Sequence, residues 1–443
     1  MRGRSHAHHA ILHDRRAVFG IDGRIVTMID GYPKMTETDK LVLSVVCGVL
    51  LGYASILIFA FRHHFWILDA AGHPVMNDFV VFWTAGHLAL KSAALAAYDA
   101  HRQYAAEIAT VGHGFGGVMG WSYPPLFLFV AAALASLPYA SAFLLWLSLT
   151  VALHACVVTA IAERRIAFIV AGAAPWMLSA LAPGQNGFLT SAIIGLVLLH
   201  IEKRPAIAGL VLGLLSYKPQ FAILFPLALA AGGYWRAFAW AAVGTLAWNG
   251  LAGAVFGFGT FSAFLHALTL TTDTHLIDDT VGWNRLQRVF GLAHFLGASG
   301  RAAWAAQAFA SASIATGMVL CWRGSVPYPL KAALLAAAIV LVTPYIFVYD
   351  LPILAVAIAF LFRHRSFDKV ELALLAVTAP CVYSYLWLPN PTALFASLAV
   401  AAITARRLYL VAPLVRTDPP CAADSIGVLS DAGMQQYEAA PSP

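Results

Sequence analysis

Uncharged stretches long enough to cross a bilayer recur along this chain, and they decide what it can fold into. Leu41–Phe61 runs 21 residues without a charged side chain. A spanning helix needs about 20 mostly apolar residues. A mixed stretch of 62 residues follows, ending at Tyr123. Uncharged runs then recur at 139–162, 166–182, 187–201, 205–217, 219–235, 237–257, 302–322, 332–349, 351–362, 372–388 and 392–405. The runs flanking Lys218 and Asp350 have only 12–18 residues, so they tilt or end inside the bundle. The pattern predicts an all-α polytopic membrane protein of about twelve transmembrane helices.

Composition excludes the main soluble alternatives. The 443 residues are 60% apolar and 11% charged, where soluble proteins run about 45–50% and about 25%. With 27 Lys/Arg and 21 Asp/Glu, the chain cannot coat the roughly three soluble domains its length would suggest. The net charge of +6 is spread over short loops rather than gathered in a basic stripe, so no nucleic-acid partner is expected. Cys47, Cys156, Cys321, Cys381 and Cys421 are far apart and carry no metal spacing. His6, His8 and His9 read as a solvated tail.

Charge also orients the spans. The first 40 residues carry Arg2, Arg4, Arg15, Arg16, Arg24, Lys34 and Lys40, which places them in the cytoplasm by the positive-inside rule. No small-residue cleavage site follows the first span, so no cleavable leader is expected. With twelve spans, 20 of the 27 Lys/Arg fall inside and 7 outside. That holds only if residues 124–138 do not cross, so they are expected to form a short juxtamembrane or re-entrant helix. The predicted organisation is a cytoplasmic segment 1–40, a transmembrane domain 41–410 and a disordered cytoplasmic tail 411–443. Residues 62–138 form a large first periplasmic loop with juxtamembrane helices, and 257–301 form a second. The protein is placed in a bacterial inner membrane with both termini cytoplasmic.

The outer loops then hold the unusual polar residues. Asp78 opens DFVVFWTAGHLAL, a helical pattern, and reads either as its N-cap or as a general base at the membrane surface. Asp99 reads as a cap. Lys218 sits between two apolar arms, and Asp350 follows Tyr349 in an apolar hairpin. A charge at membrane depth is a functional candidate by default, though a structural Asp350–Lys218 ion pair explains both. Gln185 and Asn186 lie in a Gly-Gln-Asn-Gly turn. Arg285 and Arg288 follow Trp283-Asn284 in the second loop. They suit a phosphate, or a salt bridge to Asp278 or Asp279.

In order, these segments read Asn77-Asp78-Phe79 with Phe82-Trp83-x-Ala-Gly and Tyr98-Asp99, Ser122-Tyr123-Pro-Pro-Leu-Phe, Gly-Gln185-Asn186-Gly, Tyr217-Lys218-Pro-Gln220, and Thr343-Pro-Tyr through Tyr349-Asp350-Leu. From about Leu41 to Arg407 the chain resembles family-87 glycosyltransferases, membrane enzymes of the GT-C fold that include phosphatidylinositol-mannoside mannosyltransferases. The resemblance implies a GT-C-like bundle with a polyprenyl-phosphate sugar donor and a glycolipid or glycan acceptor. It also implies a catalytic acid soon after the first span, and Asp78 matches that position. It brings Asn77, Trp83, Tyr123, Gln185, Asn186, Lys218, Gln220, Arg285, Arg288, Tyr349 and Asp350 forward as donor- or acceptor-binding residues. Mannosyltransferases of the family often carry a histidine in the late outer hairpin, where this chain reads Phe347-Val348-Tyr349-Asp350. Its role would fall to Asp350, Tyr349 or a histidine elsewhere.

The implied chemistry is inverting transfer of a hexose or pentose, mannose-like by family. Asp78 takes the acceptor proton. Lys218 is the first choice to stabilise the leaving phosphate, with Arg285 and Arg288 as alternates. A monophosphate leaving group has little need of a divalent metal, so neither metal nor cofactor is expected. The rival class is a transporter or flippase of lipid-linked sugars, for which two matching, broken halves would be the mark.

Overall fold

The computed structural model describes residues 37–116, 120–272, 285–343, 345–388 and 390–417, the side chains of 37–39, 270–272, 386 and 412–417 excepted. The histidine-bearing N-terminus, Asp278-Asp279, Trp283-Asn284 and the tail beyond 417 lie outside the described residues. The chain divides into two units within its first helix, the second starting at Ile56. Among the described residues every regular element is helical, with one isolated bridge between Leu68 and Pro74.

Several of the uncharged runs become helices almost residue for residue. The run 139–162 is the single helix Tyr139–Ala162, and 237–257 falls on Trp235–Phe256. The run 302–322 falls on Gly300–Arg323, and 372–388 on Lys369–Trp387. Proline and short length break others. The run 166–182 is split into Ile166–Gly172 and Met177–Leu181, and 219–235 into Pro219–Ala222 and Phe225–Ala231. A proline has no N–H and is best tolerated in a helix's first turn, where Pro219 and Pro226 sit, although Pro380 stands inside Lys369–Trp387. Among the described residues, five helices are long and apolar enough to cross a membrane: Lys40–Arg62, Tyr139–Ala162, Trp235–Phe256, Gly300–Arg323 and Ala393–Val411. The first helix begins at Glu37, and the last continues to Thr417, past the expected boundary at 410.

Residues 124–138 hold a 3-10 turn, Pro125–Phe127, and the 8-residue helix Leu128–Ala135. Eight residues rise only about 12 Å, far short of a hydrocarbon core about 30 Å thick. This short helix packs against Asp78–Leu90. Gly86 permits the approach, since a Cβ there would lie 2.0 Å from the Ala131 carbonyl oxygen. Small residues play the same part between Pro205–Leu214 and Trp235–Phe256. A Cβ on Gly209 would meet Ala237 O at 2.6 Å, and one on Gly213 would meet Gly244 C at 2.5 Å. Close backbone approach of this kind is how helices associate in lipid.

Polar contacts gather at the two ends of the helices. At one end Phe79 N donates to Pro183 O and Thr343 Oγ1 to Gln220 O. There Gln287 Nε2 donates to Asn390 O, and its Oε1 accepts from Ala393 N. At the other end Arg363 pairs with Glu163 at 2.9 Å, and Tyr328 donates to Leu198 O. That end also holds an ionic knot. Arg407 grips Glu371 with two nitrogens at 2.8 and 2.7 Å, and both side chains are buried. Arg365 and Arg406 reach Glu371 and Asp368 from the rim. Loops predicted to share a side by charge thus meet at the same end.

Candidate active site

Asn77, not Asp78, is the helix cap. Its backbone is extended, with φ −158° and ψ 175°, and its side-chain oxygen accepts from Phe79 N at 3.0 Å and Val80 N at 3.3 Å. Tyr139 donates to the same oxygen at 3.1 Å, fixing the cap against Tyr139–Ala162. The capping alternative for Asp78 is therefore overturned: its carboxylate stands on the first helical residue, free of that duty. Asp99 does cap Ala100–Val111, accepting from His101 N and Arg102 N.

Asp78 is half-buried. Burial pushes its carboxyl up from 3.8 to about 6. Gln185 and Lys218 pull it back, Asp350 adds a push, and Arg285 a further pull. These four residues come from segments far apart in sequence, and their influence on one carboxylate defines the cluster.

The Gly-Gln-Asn-Gly turn supplies its floor. Gly184 has φ +70°, a backbone glycine tolerates best. Its carbonyl is held by the Trp146 indole at 2.9 Å. Gly187 sits under the turn that carries Asp350, where a Cβ would fall 1.8 Å from Tyr349 O. Gln185 Oε1 accepts from Asn186 N at 3.2 Å and from the Tyr123 hydroxyl at 3.5 Å. The Asn186 amide is fully buried, and among the described residues neither of its polar atoms has a partner in hydrogen-bond geometry. Tyr123 lies beside it. Overpacking costs about 1–3 kcal/mol, so Gly187→Ala should lower the thermal unfolding midpoint in detergent. Gly114→Ala, with nothing within 4 Å, should leave it unchanged.

Lys218 and Asp350 form the buried ion pair that the sequence left open, at 2.8 Å with side chains 6% and 3% exposed. The ammonium also lies over the Phe221 and Tyr349 rings at 5.3 and 5.6 Å. The other Asp350 oxygen accepts from Phe347 N at 3.2 Å. Gln220 is half-buried beside Lys218, its carbonyl held by Thr343. Arg285 is exposed and forms no ion pair among the described residues.

Two sequence candidates point elsewhere. Trp83 is five residues after Asp78, which turns it about 140° around the helix. Its indole donates to Leu137 O, and its ring stacks on His87. Phe82 takes the site side instead, edge-on to Tyr123 at 5.4 Å. Arg288 is fully buried among the Phe290, Trp304 and Tyr345 rings, and among the described residues no guanidinium nitrogen has a hydrogen-bond partner. Gln287, missed in sequence, locks this segment to Ile346, Asn390 and Ala393. A lone amide between two arginines was its only signal. Among the described residues no group of three or more His, Cys, Asp or Glu side chains gathers.

The class so defined is a polytopic helical membrane protein with a carboxylate, an ion pair and an open cation at one end of its helices. A family model for glycosyltransferase family 87 matches residues 121–344, just over half of the chain. The chain belongs to that family, and is accordingly a membrane glycosyltransferase. The matched stretch includes Tyr123, Gln185, Asn186, Lys218, Gln220, Arg285 and Arg288. Asp78 precedes it and Asp350 follows it; the fold brings both back to it. Searches of curated proteins and of solved structures gave no match.

Proposed function

We propose that this protein transfers a hexose or pentose, mannose-like by family, from a polyprenyl-phosphate donor to a hydroxyl of a glycolipid or glycan on the periplasmic side of the inner membrane. The observation that carries the reading is Asp78, released from capping and grouped with Gln185, Lys218, Asp350 and Arg285. In the proposed step the acceptor oxygen attacks the anomeric carbon as its proton passes to the Asp78 carboxylate. The bond from that carbon to the phosphate oxygen breaks, and polyprenyl phosphate leaves with inversion at the sugar. Lys218 is already answered by Asp350, so the developing charge falls first to Arg285, with the Lys218–Asp350 pair behind it. Tyr123, Gln185 and the buried Asn186 amide beside Tyr123 are the groups proposed to hold sugar hydroxyls, since buried polar groups call for partners. No step needs a metal.

The proposal includes twelve spans with this site outside. Its support is the agreement between the 20-to-7 charge split and the grouping of loops at two ends. In a cysteine-free background, Ala71→Cys should react with an impermeant thiol reagent in intact spheroplasts and Lys203→Cys should not. The reverse pattern moves the site to the cytoplasm.

The donor is tested with purified protein in proteoliposomes. Sugar should move from a polyprenyl-phosphate sugar to a glycolipid acceptor, and nucleotide sugars should be ignored. Transfer from a nucleotide sugar without a lipid carrier defeats the reading. Movement of the lipid-linked sugar across the bilayer without transfer would make the protein a flippase.

A further inference from the structure

The turn that carries Asp350 is short. Val348–Asp350 is a single 3-10 turn, and Pro352 caps the next helix, Ile353–His364. One face of Gly187–His200 supports it from beneath. Residues 187, 190 and 191 share that face, because positions three and four apart are neighbours on a helix. A Cβ on Gly187 would meet the Pro352 ring at 3.5 Å as well as Tyr349 O. Thr190 Oγ1 donates to Asn186 O and meets the Tyr217 hydroxyl, next to Lys218. Ser191 Oγ donates to Pro352 O at 2.8 Å. Neighbours of both members of the Lys218–Asp350 pair are thus bonded to one helix.

Behind Ser191 stands His154, from Tyr139–Ala162. Its Nδ1 lies 3.0 Å from Ser191 Oγ, and both side chains are buried. Bond counting assigns the protons. A serine hydroxyl has one proton, and Pro352 O can only accept, so the proton is used there. His154 Nδ1 must then be the N–H that donates to Ser191. A neutral imidazole protonated at Nδ1 has a bare Nε2, and among the described residues Nε2 has no partner. The Phe188 ring packs beside it at 5.5 Å. A second proton would place a charge in that apolar interior with nothing to bond it. His154 is therefore a fixed donor, neither acid nor base.

We propose that His154 is a positioning residue, which through Ser191 and Pro352 O holds the Asp350 turn, and with it the Lys218–Asp350 pair, in place beneath the site. It touches no substrate. The proposal rests on the active-site reading above and adds a residue that acts on that site through two others.

The first test needs no substrate. Acetylation of Lys218 by acetic anhydride, in detergent, is followed by mass spectrometry of the peptide that holds it. The wild-type amine is buried and paired, so it should react slowly. His154→Leu and Ser191→Ala should each speed the reaction by about five- to tenfold, the worth of one hydrogen bond. The double variant should match Ser191→Ala alone, since both act in one chain. His154→Asn should stay slow, because the asparagine Nδ2 stands where the donating Nδ1 stood. Arg407→Met, which breaks a buried pair at the other end of the helices, should also leave Lys218 slow. If His154→Leu does not fold, Ser191→Ala and Ser191→Thr serve, the first fast and the second slow. In the transfer assay His154→Leu should lower kcat by up to about 10²-fold, the cost of about 1 Å of misplacement, with donor KM little changed and His154→Asn restoring the rate. Slow acetylation in both His154→Leu and Ser191→Ala, or equal speeding in His154→Asn, overturns the proposal. So does an unchanged kcat in a folded His154→Leu. Acetylation of Lys218 is independent of the donor, so its result stands even if the transfer reading fails.

Discussion

Asp78→Asn should lose turnover by roughly 10²–10⁴-fold, the usual worth of a general base, while inserting and folding normally. The amide matches the carboxylate in shape, and the helix cap is the neighbouring Asn77. Wild-type kcat/KM should rise with pH and level off above about 6, because the carboxyl titrates there and only its ionised form takes a proton. Stability should move the opposite way. A carboxyl raised in the folded state binds its proton more tightly there than in the unfolded chain. Ionising it therefore costs stability progressively from 3.8 up to about 6, and in full above that. The Asp78→Asn variant has no such charge, so at neutral pH its unfolding midpoint should equal or exceed the wild type's. Near-normal turnover in Asp78→Asn would leave the base unassigned.

Lys218→Met should be the most damaging single change to the fold near the site. It leaves Asp350 charged, buried and without its partner, and breaking a buried pair from one side costs about 3–5 kcal/mol. Replacing both members with apolar groups is often neutral, so Lys218→Met with Asp350→Leu should recover most of the unfolding midpoint. Turnover separates structure from chemistry. If the pair also supports the leaving phosphate, the double variant folds but stays slow, and Lys218→Arg keeps part of the activity. Full activity in the double variant would confine the pair to packing.

The helices were legible because a bilayer imposes a length and a polarity that the run 139–162 already displays. Charge likewise set residues 124–138 apart from the spans, and the structure gives them a 3-10 turn and an 8-residue helix. Division of labour between neighbours was not legible. Asn77 and Asp78 cap about equally well by type, and only the extended backbone at Asn77 decides which one does. The Lys218–Asp350 pair was visible as an option, since each is a lone charge in an apolar run. Its 132-residue separation left the contact to packing. Arg288 read as a phosphate ligand because arginine favours phosphate, and nothing local announced a ring cage built from Phe290, Trp304 and Tyr345. Gln287 was harder still, because a glutamine looks alike in sequence whether its partners are backbone groups or none.

The knot around Glu371 bears on the order in which the protein can be assembled. Glu371 emerges from the ribosome 36 residues before Arg407, its buried partner, and must wait for it. Of the arginines that reach Glu371 in the structure, only Arg365 lies earlier in the chain, and its side chain is 42% exposed even in the finished fold. Helix Lys369–Trp387 therefore has its buried charge fully answered only once the last helix is in place. Arg407 also donates to the Leu361 and Arg365 carbonyls, so one late side chain fastens three helices in a single event. The buried carboxylate is therefore answered in full only by a chain that extends to Arg407, and a chain stopped short of it leaves the knot open.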